Sequence, residues 1–156
     1  SREPLERTDV CALAEALADE YRAAGAQVTF QADGRHLLDV QPNLLRRAIR
    51  NLVDNALKYG GGAEIDVRGE PGGVRISVLD RGPGLPQGEI ARITGAFYRA
   101  EPSRNRETGG AGLGLAIAEA IVQAHGGKLS FANREGGGLA AVIRLPASRR
   151  VEAEAV

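Results

Sequence analysis

The chain has 156 residues with 20 basic and 20 acidic side chains, 43% hydrophobic and 4% aromatic, which fits one globular domain with its own core. Balanced charge gives no electrostatic reason to expect nucleic acid or an anionic membrane as partner, and so few aromatics cannot build base-stacking platforms. No apolar run approaches the roughly 20 residues of a membrane span and the N-terminus lacks a signal-peptide layout, so a soluble domain without membrane contact is expected.

Residues 1–8 are polar, contain Pro4 and read as a linker. Thr8 and Asp9 then offer an N-cap, and Val10, Leu13, Leu17 and Tyr21 at helical spacing predict a helix ending near Gly25. The lone Cys11 in that helix cannot form an intramolecular disulfide and reads as a small packed hydrophobe. Apolar stretches at 28–30 and 37–40 predict strands on either side of a turn at Asp33-Gly34, with His36 at the surface. Pro42 opens a long helix to Tyr59, stopped by Gly60-Gly61-Gly62. Residues 65–68 and 74–80 alternate and are joined by Pro71-Gly72-Gly73, which predicts a hairpin. From Arg81 to Gly112 the periodicity breaks down into a long, partly ordered loop with one short helix, the kind of segment that serves as a lid. A helix over about 113–125, with His125 in its last turn, ends at Gly126-Gly127, and strands follow near 128–132 and 139–145. The reading is therefore a linker at 1–8, one domain at 9–147 and a frayed tail at 148–156. Interleaved strands and helices with one clear hairpin fit an α/β two-layer sandwich on a mixed sheet better than a doubly wound sheet.

Three constellations carry chemistry. In the helix ending at Tyr59, Leu45, Ile49, Leu52, Val53 and Ala56 form the core stripe, and Asn51, Asn55 and Lys58 lie beside it within an arc of about 60°. Asn is a poor helix former, so stacking two on one face costs helix stability. The face is either ordinary polar decoration or a site where amide oxygens ligate Mg²⁺ and Lys58 meets phosphate. In residues 80–84, Asp-Arg-Gly-Pro-Gly, Asp80 continues the inward parity of Val74, Ile76 and Val78, so its carboxylate points toward the interior. It either caps a local turn or accepts from a fixed donor such as an adenine amino group, with Gly82 and Gly84 letting backbone approach a flat ring. Residues 109–114, Gly-Gly-Ala-Gly-Leu-Gly, run straight into a helix and offer amides to phosphate, yet they match neither the P-loop nor the dinucleotide spacing. Hydrolase and metalloprotease motifs are absent, as are paired cysteines.

Taken together and in this order, the motifs resemble the ATP-binding catalytic domain of sensor histidine kinases, in the superfamily shared with gyrase, Hsp90 and MutL. Residues 51–59 look like its N box, 80–84 its first glycine box, Phe97-Tyr98-Arg99 its F box and 110–114 its second glycine box, while Gly136-Gly137-Gly138 before a last strand ending in Leu145-Pro146 is similar to its end. The resemblance implies a mixed sheet of about five strands packed on three helices, with ATP held under a mobile lid. It further implies that Asn55 and Asn51 hold Mg²⁺, that Lys58 and Arg99 act on the phosphates as the catalytic pair, and that Tyr59 lies by the nucleotide. Asp80 would take the adenine amino group with Gly82 and Gly84 beside it, and Gly110, Gly112, Leu113 and Gly114 would wrap the phosphates. Ala111 and Ile93-Thr94-Gly95-Ala96 depart from the usual pattern around the lid.

Relatives that hydrolyse ATP or phosphorylate serine carry Glu where this chain has Asn51, and an amide cannot serve as general base. The resemblance thus implies transfer of the γ-phosphoryl to histidine, which already offers a lone pair. The alternatives are an anti-sigma-type serine kinase and a catalytically weak nucleotide-dependent interaction module. Neither His36 nor His125 has the setting of a phosphoacceptor, so the expected partners are a dimerisation and phosphoacceptor domain outside this chain and a response regulator downstream. The expected setting is the cytoplasmic portion of a membrane-anchored sensor.

Overall fold

The computed structural model describes residues 2–84 and 111–147. In chain order these form β1 (Glu6–Asp9), α1 (Val10–Ala23), β2 (Val28–Ala32), β3 (Leu37–Val40), α2 (Pro42–Gly60), β4 (Ala63–Glu70), β5 (Gly73–Leu79), α3 (Ala111–Ala124), β6 (Lys128–Asn133) and β7 (Leu139–Pro146). Five strands make one sheet in the order β2-β4-β5-β7-β6. Strands β2 and β4 run parallel, joined by a crossover that contains α2, and the other neighbours are antiparallel. Helices α1, α2 and α3 pack on one face of this mixed sheet, so the expected two-layer sandwich is the fold.

The core follows from alternation in the strands and from one stripe on each helix. Ile65 and Val67 on β4, Ile76 and Val78 on β5 and Ile143 on β7 point at Leu17 of α1 and at Leu45, Ile49, Leu52 and Val53 of α2, all essentially without solvent contact. On the outer face, the strand register sets Arg68 opposite Arg75, Arg75 opposite Arg144 and Arg144 opposite Lys128. This row of four cations spans four strands, and two carboxylates hold its three arginines: Asp66 lies 3.1 Å from Arg68, and Glu70 lies 3.1 Å from Arg144 and 4.0 Å from Arg75.

Local sequence explains most helix ends. Asp9 caps α1, its carboxylate accepting from the Cys11 N–H at 3.0 Å, and Gly61, at φ 74°, ends α2 in the left-handed region. The start of α2 is different, because its N-cap residue Gln41 makes no side-chain capping bond. The carboxylate of Glu3 supplies it from outside, accepting from Asn43 N–H at 2.7 Å and Leu44 N–H at 3.0 Å. His125 closes the same corner: Nε2 accepts from the Gln41 N–H at 3.0 Å, so Nδ1 carries the proton it donates to the Ile121 carbonyl at 2.8 Å. Strand β1 goes unseen in the sequence, where residues 1–8 read as a linker. It has no apolar alternation and exists by antiparallel pairing with β3, Glu6 opposite Val40 and Asp9 opposite Leu37.

On the far side α1 and α2 are clamped by polar groups. Tyr21 donates to Asp54 with Arg50 above its ring at 5.5 Å, while Glu20 receives Arg46 at 2.8 Å and Arg50 at 3.1 Å. Burial and then the Asp54 contact push the Tyr21 phenol well above its ordinary value. His36, expected on the surface, is half-buried with Nε2 2.6 Å from Asp33, whose other oxygen accepts from the Gly69 N–H at 3.0 Å.

Cys11 is half-buried against the core, as its neighbours suggest. Burial and then the nearby Asp9 carboxylate raise its thiol above the usual value, which lowers the thiolate fraction at any given pH. Alkylation of the folded chain by iodoacetamide at about pH 8 should therefore be several-fold slower than in roughly 6 M guanidinium, the gap narrowing as pH rises. Equal rates by mass spectrometry would contradict this placement.

Candidate functional site

Three segments meet at one end of the sheet: the C-terminal half of α2, the exit of β5 and the first turn of α3. The core stripe of α2 lies as its periodicity predicts, and the flanking face carries Asn51 and Asn55, both half-buried, then Lys58 and Tyr59, both exposed. Asn51 is tied down, its Nδ2 donating to the Gly114 carbonyl of α3 at 3.1 Å. The approach leaves room at Gly114, where a Cβ would stand 3.9 Å from the Asn51 side chain, an ordinary van der Waals contact. Asn55 Oδ1 is buried with no hydrogen-bond partner among the described residues. Such an orphan acceptor is costly in a plain helix face and suits a hard cation. Among the described residues no group of three His, Cys, Asp or Glu could hold a metal, so a cation here would rest on amide oxygens and on phosphates. Lys58 Nζ stands 5.6 Å over the Tyr59 ring, which keeps its charge at the end of this face.

Asp80 leaves β5 inward, 6% exposed, as strand parity requires. Its Oδ1 accepts from the Gly82 N–H at 2.8 Å and the Leu139 N–H at 3.2 Å, so it caps a local turn and also stays buried. Both bonds fall on one oxygen, and Oδ2 is left without a hydrogen bond among the described residues. The turn reaches α2 only through glycine: a Cβ on Gly82 would lie 2.6 Å from the Tyr59 carbonyl, and one on Gly60 would lie 2.7 Å from the Asp80 Cβ. Gly84, two residues on from Gly82, packs against the Asn133 side chain and the Gly138 carbonyl. A cleft of about 240 Å³ opens beside Asp80, walled by residues 60–62, Glu64, Arg81 and the start of β2.

The second glycine run differs from the sequence reading in one respect. The helix begins at Ala111, so Gly112, Leu113 and Gly114 form its first turn rather than preceding it. Alternation with Ala and Leu lets the run join the helix, whose first four amides have no partner within it and can be offered to a ligand. Leu113 is 63% exposed at this end. Arg99, Gly110, the F box and residues 85–110 of the loop expected from Arg81 to Gly112 lie outside the described residues.

Three residues around Asp80 are not tied to it by the sequence, where Gly138 reads only as part of a glycine run before the last strand. Gly60 reads there only as a helix stop. Gly138 packs so tightly on the Asp80 carbonyl that a Cβ would be 2.0 Å from its oxygen. Arg134 donates to that same carbonyl at 2.8 Å and lies 3.4 Å from Glu64, which also receives Arg81 at 3.6 Å.

No helix among the described residues is long and apolar enough to cross a membrane. Residues 40–149 match the family described as histidine kinase-, DNA gyrase B-, and HSP90-like ATPase. The sensor histidine kinase GtrS of Pseudomonas aeruginosa is 38% identical over 144 residues, covering 92% of this chain and 29% of the relative. The signal transduction histidine-protein kinase BaeS of Escherichia coli is 32% identical over 142 residues, covering 89% of this chain and 30% of the relative. The chain thus spans less than a third of the length of either protein. Among solved structures, the ATP binding domain of PrrB from Mycobacterium tuberculosis superposes with a TM-score of 0.75 at 27% identity, covering 92% of this chain and 98% of that one. Full-length ShkA in complex with AMPPNP also gives 0.75 at 27% identity, over 94% of this chain and 32% of that one. Joined to a site that presents an amide face, a buried carboxylate and a helix N-terminus, these matches show that the chain belongs to the histidine kinase-, DNA gyrase B- and HSP90-like ATPase family, as a catalytic ATP-binding domain of the sensor histidine kinase type.

Proposed function

We propose that this chain binds Mg²⁺-ATP at the junction of α2, β5 and α3 and transfers the γ-phosphoryl group to a histidine on a dimerisation and phosphoacceptor domain outside this chain. The observation that carries the reading is Asn51: an amide bonded to the Gly114 carbonyl stands where a general base would be needed to activate water or serine. A histidine needs no such base, because an imidazole lone pair can form the N–P bond while the bond from phosphorus to the bridging oxygen breaks and ADP leaves.

Each group then has one task. Asp80 Oδ2 accepts from the adenine amino group, with Gly82 and Gly84 shaping the turn beside the base. Asn55 Oδ1 and the side-chain carbonyl of Asn51 would be the protein ligands for Mg²⁺, which, when bound, would offset the charge of the phosphates. The first-turn amides at Gly112, Leu113 and Gly114, with Gly110 before them, cradle the phosphates. Lys58 holds them in the ground state, Tyr59 borders the nucleotide, and Arg99 meets the transferring group. A response regulator would receive the phosphoryl group next, and the setting is the cytoplasmic portion of a membrane-anchored sensor.

The test is transfer itself. With γ-labelled ATP and Mg²⁺, the chain alone should stay unlabelled, and adding a dimerisation hairpin from a closely related sensor kinase should give acid-labile, base-stable phosphate on the hairpin histidine. Stable label on this chain alone, or rapid phosphate release without an acceptor, would overturn the assignment.

A further inference from the structure

The tight turn between β6 and β7 holds Asp80 in several ways at once. The Leu139 N–H bonds the Asp80 side chain at 3.2 Å, and the Leu139 carbonyl accepts from the Asp80 N–H at 3.0 Å. Arg134 completes the set by donating to the Asp80 carbonyl at 2.8 Å. The turn is itself closed by Arg134 N–H to the Gly138 carbonyl at 2.8 Å and Gly137 N–H to the Arg134 carbonyl at 3.1 Å. Every main-chain polar group of Asp80 is thus held by this turn and the first residue of β7, which also binds one carboxylate oxygen.

The Arg134 side chain is only 15% exposed, and its NH1 makes both of its contacts, to the Asp80 carbonyl and to Glu64 at 3.4 Å. A guanidinium beside a carboxylate ordinarily pairs with it through strong charge-assisted bonds. Here the charge is matched by Glu64, and Asp80 is touched only through its main chain, so its Oδ2 is kept for something else.

We propose that Arg134 is a positioning residue for purine recognition: held by Glu64, it fixes the Asp80 peptide so that Oδ2 is aimed at the six-position amino group of adenine. The inference rests on the proposed assignment of Asp80 to adenine. It predicts an effect on discrimination rather than on affinity in general, because phosphate and metal contacts come from α2 and α3.

Calorimetry with Mg²⁺-ATP and Mg²⁺-ITP separates the two, since inosine carries a carbonyl where adenine carries the amino group. The wild-type chain should prefer ATP. Arg134→Ala should lose about tenfold of that preference, the scale of one hydrogen bond to a charged group, with ITP affinity changed less than about twofold. Arg134→Lys should keep most of the preference, because a single nitrogen makes both contacts. Should Arg134→Ala fail to fold by circular dichroism, Arg134→Gln, which loses the charge that Glu64 matches, carries the same comparison against Arg134→Lys. An unchanged ATP-to-ITP ratio in the charge-removing variant, or equal losses for both nucleotides, would overturn the positioning role. A wild-type chain that binds ATP and ITP equally would instead overturn the assignment of Asp80, and the role of Arg134 with it.

Discussion

Gly138→Ala should cost about 3 to 5 kcal/mol of folding stability, combining left-handed backbone strain with overpacking. Gly138 has φ 112°, a region that side chains other than glycine rarely adopt. A Cβ would also stand 2.0 Å from the Asp80 carbonyl oxygen and 2.9 Å from its carbon, and these are backbone atoms at the end of a central strand. Neither side can yield, because β5 and β7 are locked by pairing of Val78 with Ala141 and Leu79 with Ala140. Gly136→Ala is the control: it has φ 86° with nothing within 4 Å of a Cβ, so strain alone applies and the loss should be about 1 to 2 kcal/mol. Urea unfolding of both variants checks the difference. Equal losses would mean that the close approach to Asp80 contributes nothing.

Asn55→Ala is expected to move stability and activity in opposite directions. Its buried Oδ1 has no hydrogen-bond partner among the described residues, and Asn is a weaker helix former than Ala, so the variant should unfold about 1 kcal/mol harder. Transfer to a supplied histidine hairpin should fall on the order of 100-fold, the scale for losing one fixed group that holds charge in the transition state. Thermal unfolding without nucleotide gives the first number and single-turnover labelling across a Mg²⁺ titration gives the second. A variant that is both less stable and fully active would show that Asn55 serves the helix rather than the cation.

What could be read in the sequence was what local spacing encodes. The core stripe of α2, the inward parity of Asp80 and the Gly61 stop depend on residues within a turn or a strand of one another, and the structure has them as expected. The groups that were hidden act across long separations. Glu3 caps a helix 40 residues away, Asn51 reaches Gly114 63 residues away, and Arg134 reaches Asp80 54 residues away. Strand β1 was hidden for a related reason: Glu6, Arg7, Thr8 and Asp9 have no apolar alternation, and β3 supplies the edge that makes them a strand. The candidate site was legible as a set of motifs, whereas the network that fixes Asp80 had to be seen in three dimensions. Asp80 illustrates the limit well, because both turn-capping bonds fall on Oδ1 and so leave the ligand-accepting reading open for Oδ2.

The row of Arg68, Arg75, Arg144 and Lys128 also bears on how the sheet finds its alignment during folding. Moving β7 by one residue against β5 would turn Arg144 into the layer that Ile143 and Leu145 occupy, and moving β4 would do the same with Arg68. Stripping water from one guanidinium costs several kcal/mol, comparable to the whole stability of a small domain. Cations directly across from one another repel, so apart from its carboxylate contacts the row adds no attraction to the native register and acts as a proofreading device: misaligned sheets are rejected by the charge they would have to bury.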